Sequence, residues 1–305
     1  MKNTLQFQVP PKKRVRMIVD TDCKNEADDQ FALAHHLMTP MLDVRGINAA
    51  HFEAQKAVYG EGNTMQASYD EILNMLELMD LTGRYRVCKG CRHPLSDEST
   101  PEDSEAARLI IEEAMREEPT PLFVALQGTL TNLASALLLE PAIAPRLTAI
   151  WIGGDQYPEG GWEFNLSQDI HAANVVFASG VAVWQIPKPV YKMMNVSLAE
   201  LQRRVAPCGR VGAYLFRQMV ELNDRLGELS WPHGETWCIG DQPTVGVLLE
   251  DQERQNYTMR KAPLVRPDCT YAPRPGAREI RVYDTVDVRL TLEDFYAKLA
   301  LLYGE

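Results

Sequence analysis

The sequence predicts an α/β fold in which an open, mostly parallel central sheet is covered by helices on both faces. Three observations predict it. Short apolar runs alternate with stretches of helical periodicity along most of the chain. The runs are continuous rather than alternating, as strands buried on both faces require. Several of them end abruptly at an acid or at glycine, as Val19-Asp20, Gln127-Gly128 and Ile152-Gly153-Gly154 do. With 305 residues, 45% of them hydrophobic and 24% charged, the chain can bury a large core. That composition excludes disordered, collagen-like and disulfide-scaffold classes.

Taken in order, Arg16 to Val19 forms a buried strand ending at Asp20, and Gln30 to Met38 a helix that Pro40 terminates. Leu42 to Ala50 is the second strand. Ile72, Met75, Leu76 and Met79 share one face of an amphipathic helix, as do Ala107, Ile110, Ile111 and Ala114. Pro121 to Leu126 is a strand, followed by a helix with Leu130, Leu133, Ala134 and Leu137 on one face. Leu147 to Ile152 is a strand, Asp169 to Ser179 a helix closed by Gly180, and Val181 to Ile186 a strand. Ile280 to Leu290 alternates as a strand, and Leu292, Phe295, Tyr296 and Leu299 mark the last helix. The order is that of a Rossmann-like sheet, whose ligands bind beyond the carboxyl ends of the strands. No linker or repeat divides the chain, so 1–305 reads as one domain. Residues 253–278, with Pro263, Pro267, Pro273 and Pro275, read as an irregular excursion.

Charge and cysteines bound the function. Lys and Arg number 31 against 42 Asp and Glu, a net charge of −11 that repels a phosphate backbone and argues against nucleic-acid binding. A small neutral or cationic ligand and a metal cation remain compatible. The polar start, Met1 to Arg16, lacks the apolar core of a secretory signal, and no run of about 18 apolar residues predicts a membrane span. A reducing cytoplasm is therefore expected. Cys88-Lys89-Gly90-Cys91, near His93, has zinc-knuckle or redox spacing, with two reduced thiols as the plainer reading.

The most informative block runs from Val19 to Gln30. Asp20, Asp22, Glu26, Asp28 and Asp29 fall there, with Lys24 as the only basic residue. So many carboxylates in one crevice cannot all ionise without positive charge. A hard divalent cation, Ca²⁺ or Mg²⁺, satisfies aspartate oxygens better than zinc does. A helix start capped by Asp28 accounts for Asp28 and Asp29, but leaves Asp20 and Asp22 unexplained. Two later segments bring polar groups to the same edge: Glu163-Phe164-Asn165, able to bind hydroxyls, and Gly240-Asp241-Gln242-Pro243, leading into an apolar helix.

These residues resemble the inosine–uridine-preferring nucleoside hydrolases. The family's opening, a strand ending Asp-x-Asp and then Asp-Asp before a helix, is matched by Asp20-Thr21-Asp22 and Asp28-Asp29. Gln127-Gly128-Thr129-Leu130-Thr131-Asn132 is similar to its second mark. Gly153-Gly154, Glu163-Phe164-Asn165, Asp169 and Val176-Phe177-Ala178-Ser179-Gly180 reproduce the third, and Asp241-Gln242-Pro243 is close to the fourth. The marks keep the family order from residue 18 to about 248. The resemblance implies hydrolysis of the N-glycosidic bond of ribonucleosides with a calcium-bound water. It implies that Asp22, Asp29, Asp241 and the main-chain carbonyl of Gln127 bind Ca²⁺. Asp28, Glu163 and Asn165 would hold the ribose hydroxyls, and Asp22 would act as general base. It also implies a homo-oligomer, dimer or tetramer.

The chain departs from the pattern at several places. Five residues separate Asp22 from Asp28, two more than in the best-known members, so Asn25-Glu26 lengthens the loop. Gly240 stands where some members carry a histidine that helps the leaving base. The family's asparagines after the second strand and upstream of Glu-Phe-Asn have no clean counterpart in 48–53 or 155–162. His51, His93 and His233 are candidates to protonate the leaving group, and Trp162 and Trp237 to stack on a base. Two rivals stand beside this reading. One is a haloacid-dehalogenase-type phosphatase with Asp20 as nucleophile beside Mg²⁺. The other is a calcium-dependent binder, or a hydrolase, of another ribosyl compound.

Overall fold

A computed structural model describes residues 4–229 and 234–304. Its centre is an eight-stranded sheet built from β1 (Val15–Thr21), β2 (Leu42–Ala49), β3 (Val87–Lys89), β4 (Leu122–Leu126), β5 (Thr148–Ile152) and β6 (Ala182–Ile186). Two further pairs follow in the chain, β7 (Asn195–Ser197) with β8 (Thr236–Cys238), and β10 (Leu264–Val265) with β11 (Tyr271–Ala272). The central sheet is completed by β9 (Tyr257–Lys261) and β12 (Glu279–Tyr283) in the order β3-β2-β1-β4-β5-β6-β12-β9. Every pairing in it is parallel except β12 with β9.

That order reverses direction at β1. The chain winds one way through β2 and β3, then returns to place β4 on the other side of β1. A crevice opens where neighbouring connections leave to opposite sides, and here it falls between the carboxyl ends of β1 and β4. The strands are buried because their side chains are apolar on both faces: Met17, Ile18 and Val19 are fully enclosed, as are Val124, Ala125 and Leu126. Two core clusters cover the sheet, one holding Phe31, Ile72, Met75 and Phe295, the other Ile110, Leu133, Trp151 and Phe177.

The helices that supply those clusters follow the expected periodicity. They include α1 (Asp29–Met38), α2 (Lys56–Tyr59), α3 (Thr64–Leu78), α4 (Glu105–Met115), α5 (Thr131–Leu139), α6 (Phe164–Gln168) and α7 (Ile170–Ala178). The remainder are α8 (Lys188–Tyr191), α9 (Leu198–Arg204), α10 (Gly209–Arg225), α11 (Pro243–Leu249) and α12 (Val288–Tyr303). Side-chain caps fix several starts, with Ser104 accepting from the Ala107 amide and Asp169 from the Ala172 amide.

Two expectations change. The stretch 253–278 is not irregular throughout: it contributes the antiparallel edge strand β9 and the β10–β11 hairpin. The last strand is shorter than its alternation suggests. It stops at Tyr283, because Asp287 accepts from the Leu290 amide at 2.8 Å and starts α12 at Val288. No helix among the described residues is long and apolar enough to cross a membrane.

Candidate active site

One cavity of about 730 Å³ opens at the carboxyl edge of the sheet, over the junction of β1 and β4. Strand ends deliver its floor: Asp22 follows β1, Gln127 follows β4, and Ile152 closes β5. Asp28 and Asp29 come from the start of α1, and Asp241 from the turn before α11. Carboxylate oxygens of Asp28, Asp29 and Asp241 lie within 4.8 Å of one another, a grouping able to hold a metal ion.

Asp22 is the most telling member. It is 1% exposed, and neither carboxylate oxygen has a hydrogen-bond partner among the described residues. Gly128, just past β4, lies against it. A Cβ there would come within 2.6 Å of the Asp22 carboxyl carbon, so only glycine admits the carboxylate. Burial, and then the neighbouring Asp29 and Asp28, push the Asp22 carboxyl well above the usual carboxylate range. Asp241 is raised likewise, by burial and then by Asp28, Asp29, Asp22 and Glu26. Asp29 is pushed up to about 8, burial first and Asp28 next, although Thr21 donates to its Oδ1 at 2.5 Å.

Burial and the neighbouring acids thus disfavour the charged form of all three carboxyls. The donor set is all oxygen, largely buried and several-fold anionic when ionised, which suits a hard divalent cation. Asp22, Asp29 and Asp241 line one cavity, but the grouping whose oxygens lie within 4.8 Å of one another holds Asp28 in place of Asp22. The Gln127 carbonyl already accepts from Asn165 Nδ2 at 2.9 Å, which leaves it one lone pair.

The polar groups beside the floor are less open than the sequence implies. Asp28 precedes α1, yet it caps nothing with its side chain; its Oδ2 accepts from the Gly240 amide at 2.9 Å. Asn165 donates both amide hydrogens, to the carbonyls of Gln127 and Ile152, each at 2.9 Å. Only its Oδ1 is left to face a ligand, as an acceptor. Glu163 accepts from four donors, the amides of Gly154, Asn165 and Leu166 and the Tyr191 hydroxyl. It therefore caps α6 and stiffens the wall as well as lining the cavity.

Glu26 was overlooked as a site residue. The lengthened loop carries it to the cavity, where burial and then Asp28 push its carboxyl up to about 8. The loop is held by Gln55 Nε2, which donates to Asn25 Oδ1 at 2.5 Å, and by Gln218 Nε2, which donates to the Ala27 carbonyl at 2.9 Å. Its length was visible in the sequence; its direction was not. Lys188, Lys192 and Arg225 also line the cavity and were not singled out.

Of the other candidates, only Trp162 reaches the cavity among the described residues. His51 is fully buried and bonded to Thr131 Oγ1 at 2.9 Å, and burial lowers its pKa to about 3. His93 stands outside the cavity, 3.9 Å from Glu53, and His233 lies outside the described residues. Trp162 is 62% exposed at the cavity mouth, whereas Trp237 is a core side chain of β8. Cys88 and Cys91 are free buried thiols, the latter hydrogen-bonded to Ser104 and Ser135 and pushed up to about 12 by burial. That environment suits neither zinc nor redox exchange.

The phosphatase reading fails on Asp20. A nucleophile must face the cavity, but Asp20 is fully buried, and its Oδ2 accepts from Asn48 at 3.1 Å and Asn132 at 3.0 Å.

Comparison with known proteins yields a consistent set. The family model described as inosine-uridine preferring nucleoside hydrolase matches residues 17–292. A pyrimidine-specific ribonucleoside hydrolase RihA of Salmonella arizonae is 27% identical over 260 residues, covering 75% of this chain and 78% of that protein. The RihA of Citrobacter koseri is 28% identical over 53% of this chain, and the match spans 57% of that relative's length. The solved purine-preferring ribonucleoside hydrolase from Gardnerella vaginalis superposes with a TM-score of 0.75 at 19% identity, covering 94% of this chain and 99% of that one.

Proposed function

We infer the activity from this match: the chain belongs to the inosine-uridine preferring nucleoside hydrolase family and is a hydrolase that cleaves ribonucleosides at the N-glycosidic bond. We propose further that the acidic floor holds Ca²⁺ through Asp22, Asp29, Asp241 and the Gln127 carbonyl. The observation that carries this is Asp22, whose two buried oxygens meet no donor among the described residues. A buried carboxylate without a partner is costly, and a ligand that fills the gap offsets that cost. When bound, a divalent cation acts as a Lewis acid that lowers the pKa of water and lets the clustered acids ionise.

The chain's own residues then perform three tasks. Asp28 and Asn165 orient the ribose: Asp28 through the oxygen not held by Gly240, and Asn165 through Oδ1, each accepting from a sugar hydroxyl. Glu163 adds a third contact, with its position fixed by its four donors. Asp22 takes a proton onto a carboxylate oxygen as water attacks the anomeric carbon. The carbon–nitrogen bond breaks, its electron pair leaving with the base. Positive charge develops on the ribose, and the surrounding acids stabilise it, as carboxylates do in glycoside hydrolysis generally.

The resemblance also supports a cytoplasmic homo-oligomer, a dimer or tetramer, with residues 1–305 acting as one domain. Six free cysteines agree with a reducing compartment. The relatives' names point in two directions for the base, pyrimidine in RihA and purine in the Gardnerella neighbour. The test is a reducing-sugar assay over purine and pyrimidine ribonucleosides, with and without chelator. Sugar release that chelator abolishes and Ca²⁺ restores is expected. Binding of nucleosides without product would leave only the binder reading.

A further inference from the structure

The departing base carries negative charge as its bond to ribose breaks, and something in the cavity must meet it. No histidine among the described residues lines the cavity. The hydroxyls of Tyr59 and Tyr191 donate elsewhere, to the Lys24 carbonyl at 3.1 Å and to Glu163 at 2.9 Å, and the Cys238 thiol donates to the Tyr191 carbonyl. The positive side chains that line the cavity are Lys188, Lys192 and Arg225. Lys188 is engaged by Asp155 at 3.3 Å and by the Trp162 carbonyl at 2.9 Å.

Arg225 differs. It sits in the last turn of α10, and no acid among the described residues pairs with it. Leu222 and Leu226, three residues before it and one after, line the cavity from the same helix face, giving an apolar strip with one cation in it. The helix is anchored against the acidic loop by Gln218. Lys192 follows α8, with its ammonium 5.8 Å from the Tyr191 ring centroid, and its charge acts on Glu26, Asp28 and Cys238. It thus stands beside the Cys238–Gly240–Asp241 wall.

We propose that Arg225 and Lys192 stabilise the departing base electrostatically, as fixed cations in place of a proton donor. This rests on the nucleoside-hydrolase reading. The electron pair of the broken bond moves to the base nitrogen, and the water oxygen bonds to the anomeric carbon. The water proton goes to Asp22 and on to solvent, and the base anion takes its proton from solvent after release. Fixed charge aimed where charge develops is effective because it needs no reorganisation.

The test compares Arg225→Met, Lys192→Met and their double variant on uridine and inosine, whose bases leave poorly, and on p-nitrophenyl β-ribofuranoside, whose phenolate leaves readily. Both residues are exposed, so the variants are expected to fold, and a thermal midpoint checks this. The expected result is a kcat loss on nucleosides of roughly 10- to 100-fold per cation, at least tenfold smaller on the nitrophenyl riboside. Arg225→Lys and Lys192→Arg should restore most of it. Equal losses on both substrate types, or no loss on nucleosides, overturns the proposal. So does a leaving-group-dependent loss found in Glu26→Gln but in neither cation variant. A wild-type protein that hydrolyses neither substrate type refutes the hydrolase reading instead.

Discussion

Asp20 and Asp22 stand two residues apart at the end of β1, and both are buried, yet they meet opposite surroundings. Asp20 Oδ2 accepts from the side-chain amides of Asn48 and Asn132, one on the neighbouring strand and one on α5. Asp22 accepts from no donor among the described residues and faces Asp28, Asp29 and Asp241 across the cavity. The chain builds two partners for one oxygen of Asp20, whose Oδ1 has none among the described residues, and builds none for either oxygen of Asp22. A carboxylate anchored by two amides serves the fold, whereas one with both oxygens left wanting beside other acids marks where a ligand completes the structure.

The contrast breaks most sharply at Asp22 itself. Asp22→Asn should lower turnover by more than about 10³-fold, since it removes the proposed base and a proposed ligand. The same change should raise the melting temperature of the chelator-treated protein at pH 8 by at least about 2 °C, because one fewer acid crowds the floor. A sugar-release assay and calorimetry read the two effects. Loss of activity together with loss of stability would put Asp22 in the same class as Asp20.

Calcium should act on the same balance. At a hundredfold excess over its dissociation constant, Ca²⁺ is expected to stabilise the wild type by about 2.7 kcal/mol. Denaturant unfolding with and without the ion measures this. The stabilisation should be smaller in Asp22→Asn.

Asp20→Ala tests the carboxylate that the two amides anchor. It strands the amides of Asn48 and Asn132, and urea unfolding should show a loss of about 1–3 kcal/mol. Turnover should fall far less than in the Asp22 variant.

Proton linkage sharpens the comparison further. Asp29, at about 8, and Asp20, at about 7, are raised by burial above the value they take in the unfolded chain. The folded state therefore keeps protons that the unfolded state has released. Their contribution is fully present below about pH 4 and is lost as pH rises through 7 and 8. His36 and His51, lowered by burial to about 3, act oppositely but only below about pH 6.5. Between pH 6.5 and 8.5 the melting temperature of the metal-free protein should thus fall as pH rises. Saturating Ca²⁺ should flatten the slope.

The smallest effect belongs to the cavity mouth. Trp162 is exposed there, so Trp162→Ala should raise KM for nucleosides less than about tenfold while leaving kcat within about twofold.

The difference between the two aspartates was only half legible from sequence. Asp-x-Asp at the end of an apolar run identifies the strand end and the acid cluster, because both are local patterns. The partners of Asp20 lie 28 and 112 residues away, and nothing local in the sequence announces them. Asp28 looks like a helix cap because composition and position agree, yet its side chain turns to the amide of Gly240, 212 residues on. The parallel strands were readable because burial on both faces leaves unbroken apolar runs. The edge strand β9 was not: Tyr257–Lys261 is exposed over most of its length and carries charge accordingly. Nothing local in the sequence marks Arg225 and Lys192, and only the placement of α10 and α8 brings them to the cavity.

Titration calorimetry of Ca²⁺ into chelator-treated protein tests the central claim most directly. The account predicts one equivalent bound with release of protons from the floor, and binding severely weakened in Asp22→Asn. No uptake at millimolar calcium, or equal affinity in the wild type and that variant, would contradict it.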